Sequence, residues 1–421
     1  MENETEHKPI AFSPPDITEA EVDAVAEALR SGWITTGPRT KELERRMGAF
    51  TGTTGFACLN SATAALECAL RLAGVGPGDE VIVPAYTYTA SASVIAHVGA
   101  KIVLVDAAAP NEEEQPFDRL ASRFHMDPLA LEEALSPRTK AVIPVDIAGR
   151  MADYPALLDA LRFASGWSAS NEVQEAIGRP IVLADAAHSL GATRDGVRSG
   201  QAADFAAFSF HAVKNLTTAE GGGLAWSNPD LSDLPIYDRI MHLSLHGQTK
   251  DAMHKEAGSW EYDIVDLGYK WNMTDIAAAM GLAQLDRYPA LLSRRRELVE
   301  RYESNLEGSR VCTMAHASMA CDSVPFESSR HLMLGRIAGA TEAQRNAVIA
   351  FMADAGIVCN VHYKPLPMLS AYRALGFSPD DFPHACALYE NEITLPLHTL
   401  LSDSDVDRVC ETLLRAVGEC A

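Results

Sequence analysis

The stretch FSFHAVKNLTTAEGGGLAW, residues 208–226, places one lysine among apolar residues and follows it with three consecutive glycines. Lysine side chains are rarely buried, so Lys214 is unusual in such surroundings unless it has a chemical role. The glycines allow the backbone to pass close to another group, or to form a tight turn. This stretch therefore raises the question of whether Lys214 is solvated or takes part in chemistry.

Short apolar segments surround this stretch and alternate with helical or loop segments. The predicted strands begin near Phe56 and continue with EVIVP (80–84), KIVLVD (101–106), AVIPVD (141–146), IVLADAA (181–187), FAAFSF (205–210) and GGLAW (222–226). This alternation predicts an α/β fold, in which a mainly parallel sheet is flanked by helices. Functional sites in such folds lie at the carboxyl ends of the strands.

Two helices are predicted before the first strand. Thr18 and Glu21 have the spacing of a capping box, and residues 43–50 form a second amphipathic segment. Two segments interrupt the alternation: residues 107–126 are acidic and loop-like, and residues 163–180 are predicted to be an enlarged connection. Both are expected to lie at the surface and to have no chemical role. They lengthen the chain without adding a strand.

The C-terminal part has a different pattern, typical of a smaller α+β unit. A long helix is predicted to follow Pro289, and a last helix begins at about Asp403. The predicted division is a large domain with an N-terminal arm, residues 1–288, and a small domain, residues 289–421. A chain of 421 residues is long enough for two cores.

The composition excludes some classes of protein. The net charge is -22 and the isoelectric point is about 5.0, whereas a nucleic-acid-binding protein needs a basic face. No apolar run approaches the roughly 20 residues of a membrane span. The eight cysteines form no C-x-x-C pair, which indicates free thiols in a reducing cytoplasm, and no metal site is predicted.

Several polar residues follow predicted strands and could meet Lys214. Asp185 ends one strand, and Ser61 starts a helix after another, where backbone N–H groups can bind phosphate. Pyridoxal phosphate (PLP) requires a lysine for its Schiff base and an acid for its ring nitrogen. Tyr86 or Tyr88 could stack on a planar ring, and Ser209 could reach the same phosphate. Each residue alone is more often a cap, an ion pair or a packed aromatic.

Together these motifs resemble the DegT/DnrJ/StrS family of PLP-dependent sugar aminotransferases, which have the aspartate-aminotransferase (type I) fold. The resemblance runs from about residue 9 to the C-terminus, apart from the two loop segments. The segments that carry it are SGWITTGP, DAAHSLGA, SFHAVKNLTTAEGG, GYKWNMTDIAAAMGLAQL, VHYKPL and LPLH.

The resemblance implies roles for individual residues. Lys214 would bind PLP covalently and move a proton between the substrate carbon and the cofactor. Asn272 would reach the phosphate in a neighbouring subunit, which implies a homodimer with shared active sites. The remaining cofactor-binding residues would be Ser61, Ala62, Tyr88, Asp185, His188 and Ser209.

The resemblance also implies a reaction. L-Glutamate would give its amino group to PLP, leaving 2-oxoglutarate, and the amine would pass to a ketone, favoured at C4, of a nucleotide-linked keto-deoxy sugar. The sugar pocket would contain Thr36, His331, His362 and Tyr363. The sugar diphosphate would meet Arg39, Lys41 or Lys270.

Other functions stay open at this point. Family members that dehydrate the sugar have histidine in place of the lysine, so Lys214 favours transamination. The TTGP segment argues weakly against an aminobenzoate-forming synthase. A non-catalytic binding or regulatory protein on the same scaffold is a further alternative. A nucleotide-binding dehydrogenase would need G-x-G-x-x-G after the first strand, where NSATAAL stands instead.

Overall fold

The structure is a computed structural model that describes residues 8–109, 124–249, 261–318 and 324–421. Its strands are Gly55–Leu59 (β1), Glu80–Pro84 (β2), Lys101–Val105 (β3), Thr139–Val142 (β4), Ile181–Asp185 (β5), Thr193–Arg194 (β6), Val197–Arg198 (β7), Phe205–Ser209 (β8), Gly222–Trp226 (β9), Val311–Thr313 (β10), Phe326–Glu327 (β11), Met333–Ile337 (β12) and Glu392–Leu395 (β13).

The described part of the chain also contains thirteen α-helices. They are Glu19–Arg30 (α1), Pro38–Thr51 (α2), Ala62–Leu72 (α3), Thr89–His97 (α4), Pro128–Ala134 (α5), Tyr154–Ala160 (α6), Glu172–Ile177 (α7), Ile236–Ser244 (α8), Asp275–Leu306 (α9), Glu342–Asp354 (α10), Ser370–Ala374 (α11), Pro383–Asn391 (α12) and Asp403–Cys420 (α13).

A seven-stranded sheet in the order β1-β9-β8-β5-β4-β2-β3 forms the centre of the large unit. Strand β9 is antiparallel to both neighbours, and the other pairs are parallel. Alternate residues of each strand enter one of two apolar cores, as Val81 and Ile82 show, so helices cover both faces of the sheet. The predicted α/β fold with a mainly parallel sheet is confirmed.

Helix α9 is longer than the sequence pattern predicted. It begins at Asp275, where the Thr274 side chain accepts a hydrogen bond from Ala277 N (3.3 Å), and it contains Pro289. The expectation that a helix starts after Pro289 is therefore wrong, because packing on α1, α2 and α13 holds the helix through the proline. The predicted division between residues 288 and 289 falls within α9.

A three-stranded antiparallel sheet, β10-β12-β13, lies in the C-terminal part. Helices α9, α10 and α13 pack around a third apolar core there. The predicted start of the last helix at Asp403 is confirmed, as is the capping box of Thr18 and Glu21. These features agree with the predicted α+β character of this part of the chain.

The two predicted loop segments have different outcomes. Residues 110–123 lie outside the described residues, so the first segment is described only at its ends. The second, predicted to be an enlarged surface connection, contains α7, whose first turn is capped by Asn171 and which buries Val173, so part of this connection packs on the core. The seven described cysteines are all free thiols. No described helix has the length and apolar character that a membrane crossing requires.

Candidate active site

A cavity of about 430 Å³ lies at the carboxyl ends of the central strands. Ten of the twelve residues predicted for the site line it, namely Ser61, Ala62, Tyr88, Asp185, His188, Ser209, Lys214, His331, His362 and Tyr363. The lining also includes Phe12 and Ser13 from the N-terminal arm, and His211 and Glu220 near Lys214, none of which had been predicted. The only local signal for Phe12 was that it is an apolar residue in a polar arm.

Lys214 lies in the turn that follows β8, where its backbone N–H donates to His211 O (2.8 Å). No described side chain lies within hydrogen-bond distance of its Nζ, although the residue lines the cavity. Burial lowers the pKa of Lys214 to about 8, while the negative charge of Asp185 opposes this shift. The amine is therefore partly neutral near physiological pH, as a nucleophile requires.

Asp185 is the last residue of β5 and is almost fully buried. One carboxylate oxygen accepts from Ser91 Oγ (2.6 Å), and the other accepts from Ala187 N (3.2 Å). Burial raises the pKa of Asp185, against the opposing effects of these two bonds and of Lys214. Thr87 Oγ1 lies 2.9 Å from Ser91 Oγ, which extends the network. Ser91 lies 94 residues from Asp185, so no local pattern indicated the contact.

The N-terminus of α3 forms another side of the cavity. Ser61 caps the helix by accepting from Ala64 N (3.1 Å), and the first N–H groups of a helix have no intrahelical partner. Strand β9 passes directly beneath, so a Cβ at Gly222 would stand 2.4 Å from Ala62 N. The glycine at this position permits that approach, and this close packing places the helix N-terminus at the cavity.

The other two glycines of the run are equally constrained. A Cβ at Gly221 would lie 2.1 Å from the Thr218 hydroxyl, and one at Gly223 would lie 2.2 Å from the Phe56 ring. All three therefore serve close packing between β9 and its neighbours, which is one of the two explanations that the sequence offered.

Aromatic and imidazole rings form the wall opposite. The Tyr88 and Tyr363 rings lie 5.9 Å apart, and His188 Nε2 is 3.2 Å from the Tyr363 hydroxyl. His188 Nδ1 accepts from Ala148 N (3.2 Å), so a neutral His188 carries its proton on Nε2. The rings of His188 and His331 are 4.3 Å apart.

Burial keeps these histidines neutral. Burial places the pKa of His188 and that of His331 well below the usual range. The positive charge of Lys214 also lowers both pKa values. Burial lowers the pKa of His362 to about 4. The wall therefore offers hydrogen-bonding groups rather than positive charges to a bound molecule.

Thr36 and Asn272 do not line this cavity. They contact each other, since Asn272 Nδ2 donates to Thr36 Oγ1 (2.6 Å), and Asn272 pairs with Leu59 next to the start of α3. Thr36 instead lines a wider groove of about 970 Å³ that also contains Lys41. Two predicted residues are thus separated from the other ten.

The candidate diphosphate-binding residues also lie away from the cavity lining. Arg39 forms an ion pair with Glu27 (3.2 Å), and Lys41 contacts Glu44 (3.6 Å). Asn60 Nδ2 donates to the backbone carbonyl of Lys270 (3.3 Å), so Lys270 flanks the segment that leads into α3.

The cavity has the parts that PLP requires. An amine with a lowered pKa, a buried carboxylate, a helix N-terminus and an aromatic ring all face the same space. Their chemistry matches the aldehyde, the ring nitrogen, the phosphate and the ring face of PLP, respectively. The residues therefore fit this cofactor.

Comparison with known proteins agrees with the geometry. The profile of the DegT/DnrJ/EryC1/StrS aminotransferase family matches residues 15–414. The spore coat polysaccharide biosynthesis protein SpsC of Bacillus subtilis (strain 168) is 34% identical over 413 residues, which is 96% of each chain.

Solved structures show the same relationship. The putative sugar aminotransferase Spr1654 from Streptococcus pneumoniae, in its PMP form, has a TM-score of 0.91 and 53% identity over 98% of this chain and 100% of that one. Its PLP form has a TM-score of 0.91 as well. A 3-amino-5-hydroxybenzoic acid synthase has a TM-score of 0.79 and 26% identity, with 98% and 100% coverage.

The fold and the cavity thus define a PLP-dependent enzyme of fold type I. The chain belongs to the DegT/DnrJ/EryC1/StrS family, and it is a PLP-dependent aminotransferase. The family and its members named above connect it with the biosynthesis of sugars and polysaccharides.

Proposed function

We propose that this enzyme transfers the amino group of L-glutamate, by way of PLP, to the C4 keto group of a nucleotide-linked keto-deoxy sugar. The observation that carries the proposal is that Lys214 and Asp185 face one cavity, together with twelve ring or hydroxyl side chains and a helix N-terminus. Bound PLP supplies an electron sink for transamination. Lys214 is the residue proposed to hold it and then to move the proton at the reacting carbon.

The lowered pKa of Lys214 suits both tasks. A general acid–base group works best when its pKa is near the operating pH, and burial brings this amine to about 8. Asp185 is placed to accept a hydrogen bond from a protonated ring nitrogen, and Ser91 orients its carboxylate. His188 would donate its Nε2–H, which lies 3.2 Å from the Tyr363 hydroxyl oxygen, to the ring hydroxyl of the cofactor.

Hydrogen-bonding groups on the far wall support a sugar acceptor. His331, His362 and Tyr363 are polar, uncharged near neutral pH and side by side, which suits hydroxyl groups better than a second carboxylate. The choice of C4 rests on the likeness of the SGWITTGP segment to enzymes that act on 4-keto sugars.

The first test is the visible spectrum of the purified enzyme before and after the addition of L-glutamate. We expect a yellow absorption band that fades as 2-oxoglutarate appears in stoichiometric amount. Asp185→Asn should bind PLP but lose this conversion at least about 100-fold, because an amide cannot stabilise the protonated ring nitrogen. No band after the addition of PLP would refute the proposal.

The second test concerns the acceptor. The aminated enzyme is mixed with UDP-linked 4-keto and 3-keto deoxy sugars, and return of the yellow band is followed in stopped flow. We expect the 4-keto sugar to restore it at least about tenfold faster. A faster return of the band with the 3-keto sugar would leave the aminotransferase activity as proposed, but would move the site of amination from C4 to C3.

We further propose that the enzyme works in the reducing cytoplasm, where free thiols persist.

We also propose that two copies of the chain share their active sites. Large apolar side chains are exposed near Thr36 and Asn272, with Ile34 at 49% and Leu267 at 89%. A second copy would cover them.

The test of shared sites mixes two inactive variants, Lys214→Ala and Asn272→Ala. A mixed dimer has one site with both substitutions and one with neither, so activity should return on subunit exchange. Activity that stays absent, in a dimer shown to exchange, would refute the sharing.

A further inference from the structure

His362 is held by its neighbours at every polar group except one. Its backbone N–H donates to Glu392 Oε2 (2.9 Å), and its carbonyl oxygen accepts from the Tyr86 hydroxyl (2.7 Å). Its Nδ1 lies 2.9 Å from Thr394 Oγ1. Only Nε2 has no partner among the described residues, and His362 lines the cavity.

A chain of hydrogen bonds leads from this ring to a buried carboxyl group. Thr394 Oγ1 donates to Glu392 Oε1 (2.6 Å). A hydroxyl group has one proton, so an oxygen that donates to Glu392 accepts from His362 Nδ1–H. With Glu392 ionised, the ring proton of His362 is therefore on Nδ1, and Nε2 presents a lone pair to the cavity.

We propose that Thr394 and Glu392 are positioning residues, which hold His362 Nε2 as a hydrogen-bond acceptor for a hydroxyl group of the sugar. Protonation of Glu392 would reverse the chain, since the carboxyl would then donate to Thr394 and Thr394 to Nδ1. This inference rests on the proposed function and deepens it, because it names the group that recognises the acceptor. Neither residue is given a role by the family resemblance.

Packing explains why this carboxyl group can respond to its surroundings. Glu392 is fully buried at the start of β13, and burial raises its pKa to about 8. Arg336 on β12 is its register partner, and Arg345 on α10 donates to the Glu392 carbonyl (2.8 Å). The other titratable groups near it are those of Tyr86, Cys359, His362 and Tyr363.

The ring itself is fixed by stacking. The Phe12 and His362 rings lie 5.5 Å apart with an interplanar angle of 18°. Stacking fixes the plane of the His362 ring, and the hydrogen bond to Thr394 fixes the position of Nδ1 in that plane. The lone pair of Nε2 can therefore point in only one direction. Loss of this direction should therefore be measurable as weaker binding of the acceptor.

The deciding experiment is nitrogen-15 NMR of histidine-labelled apoenzyme from pH 6.5 to 9.5, with His362 assigned by the signals lost in His362→Gln. At the alkaline end we expect the Nδ1–H tautomer in the wild type and in Thr394→Ser. In Thr394→Val that preference should be lost, and in Glu392→Gln the proton should move to Nε2. Thr412→Val, a buried threonine on α13, is the matched control and should change nothing.

The kinetic part separates this inference from the proposed function. At pH 9, where Glu392 is ionised, Thr394→Val should lower kcat/KM for the 4-keto sugar about tenfold, with the glutamate half-reaction changed less than about twofold. Thr394→Ser should restore the wild-type kcat/KM. A wild type with Nε2–H at alkaline pH, or a Thr394→Val spectrum like the wild type, would overturn the inference. A wild type that ignores glutamate would overturn the proposed function, and the NMR result would still stand.

Discussion

Lys214 and Lys41 occupy two depressions of the same molecule, and their surroundings are opposite. Lys41 lies in the wider groove, where its Nζ contacts the Tyr237 hydroxyl and lies 3.6 Å from the Glu44 carboxylate. Lys214 lies in the smaller cavity, where Asp185 influences its charge without contacting its Nζ. The amine with a partner stabilises the fold, whereas the amine without one has a lowered pKa and is available for chemistry.

The comparison also shows that size does not identify an active site. The groove measures about 970 Å³ and the cavity about 430 Å³. The smaller space gathers two carboxylates, four imidazoles and a helix N-terminus around one amine. Convergent polar groups with shifted pKa values are the better indication of function.

The largest expected effect is that of Lys214→Ala. Turnover should fall at least about 10³-fold, because no other amine lines the cavity among the described residues. The melting temperature should stay the same or rise, since a buried amine is removed. Activity assays and thermal denaturation test this, and normal turnover would refute the assignment of Lys214.

Gly222→Ala should have the next largest effect. The new Cβ would lie 2.4 Å from Ala62 N and from Ser61 C, so the N-terminus of α3 must move. We expect the Kd for PLP to rise about 10- to 100-fold, which corresponds to about 1.4–2.8 kcal/mol. Equilibrium dialysis measures it.

Gly418→Ala is the matched control for this substitution. Gly418 lies within α13 with nothing near its missing Cβ, so alanine there should stabilise the protein without affecting PLP. Equal PLP affinity in the two variants would show that the close approach of β9 has no part in binding the cofactor.

The pH dependence of PLP capture tests the environment of Lys214 directly. Its pKa of about 8 lies below that of a solvated lysine, and the neutral amine is the reactive form. The capture rate of apoenzyme should therefore rise about tenfold from pH 7 to pH 9 and then level off. Because Asp185 raises this pKa, Asp185→Asn should move the plateau to lower pH. A rate that still climbs above pH 10 would mean a solvated lysine.

Lys41→Met should have the smallest effect on turnover, with no change expected. The free energy of unfolding should fall by about 1–3 kcal/mol, because the buried Glu44 carboxylate loses its cation. Burial raises the pKa of Glu44, so the folded protein binds more protons than the unfolded chain and the loss should grow as pH rises. Urea unfolding at pH 5.5 and pH 8 measures this. A raised KM for the sugar with unchanged stability would instead assign Lys41 to the diphosphate.

Residues that follow strands could be predicted from the sequence, because parallel strands bring their carboxyl ends to one edge. Asp185, Ser209 and Lys214 were found in this way. Hydrogen-bond partners from distant segments could not be predicted in this way. Nothing in the sequence around Ser91 or Thr394 indicates that these residues contact Asp185 and His362. The start of α9 was missed because packing on other helices outweighs the local effect of Pro289.

Helix α9 has a consequence for the synthesis of the chain. Helix α1 packs on α9, and the buried Glu21 accepts hydrogen bonds from Gln284 Nε2 (2.9 Å) and Arg287 Nε (2.8 Å). Roughly 250 residues separate the two helices, so at ~5–20 residues per second α1 leaves the ribosome roughly 12–50 s before its partner does. Helix α1 is thus covered long after it is made, and a chain that stalls before Asp275 leaves it open to chaperones and proteases.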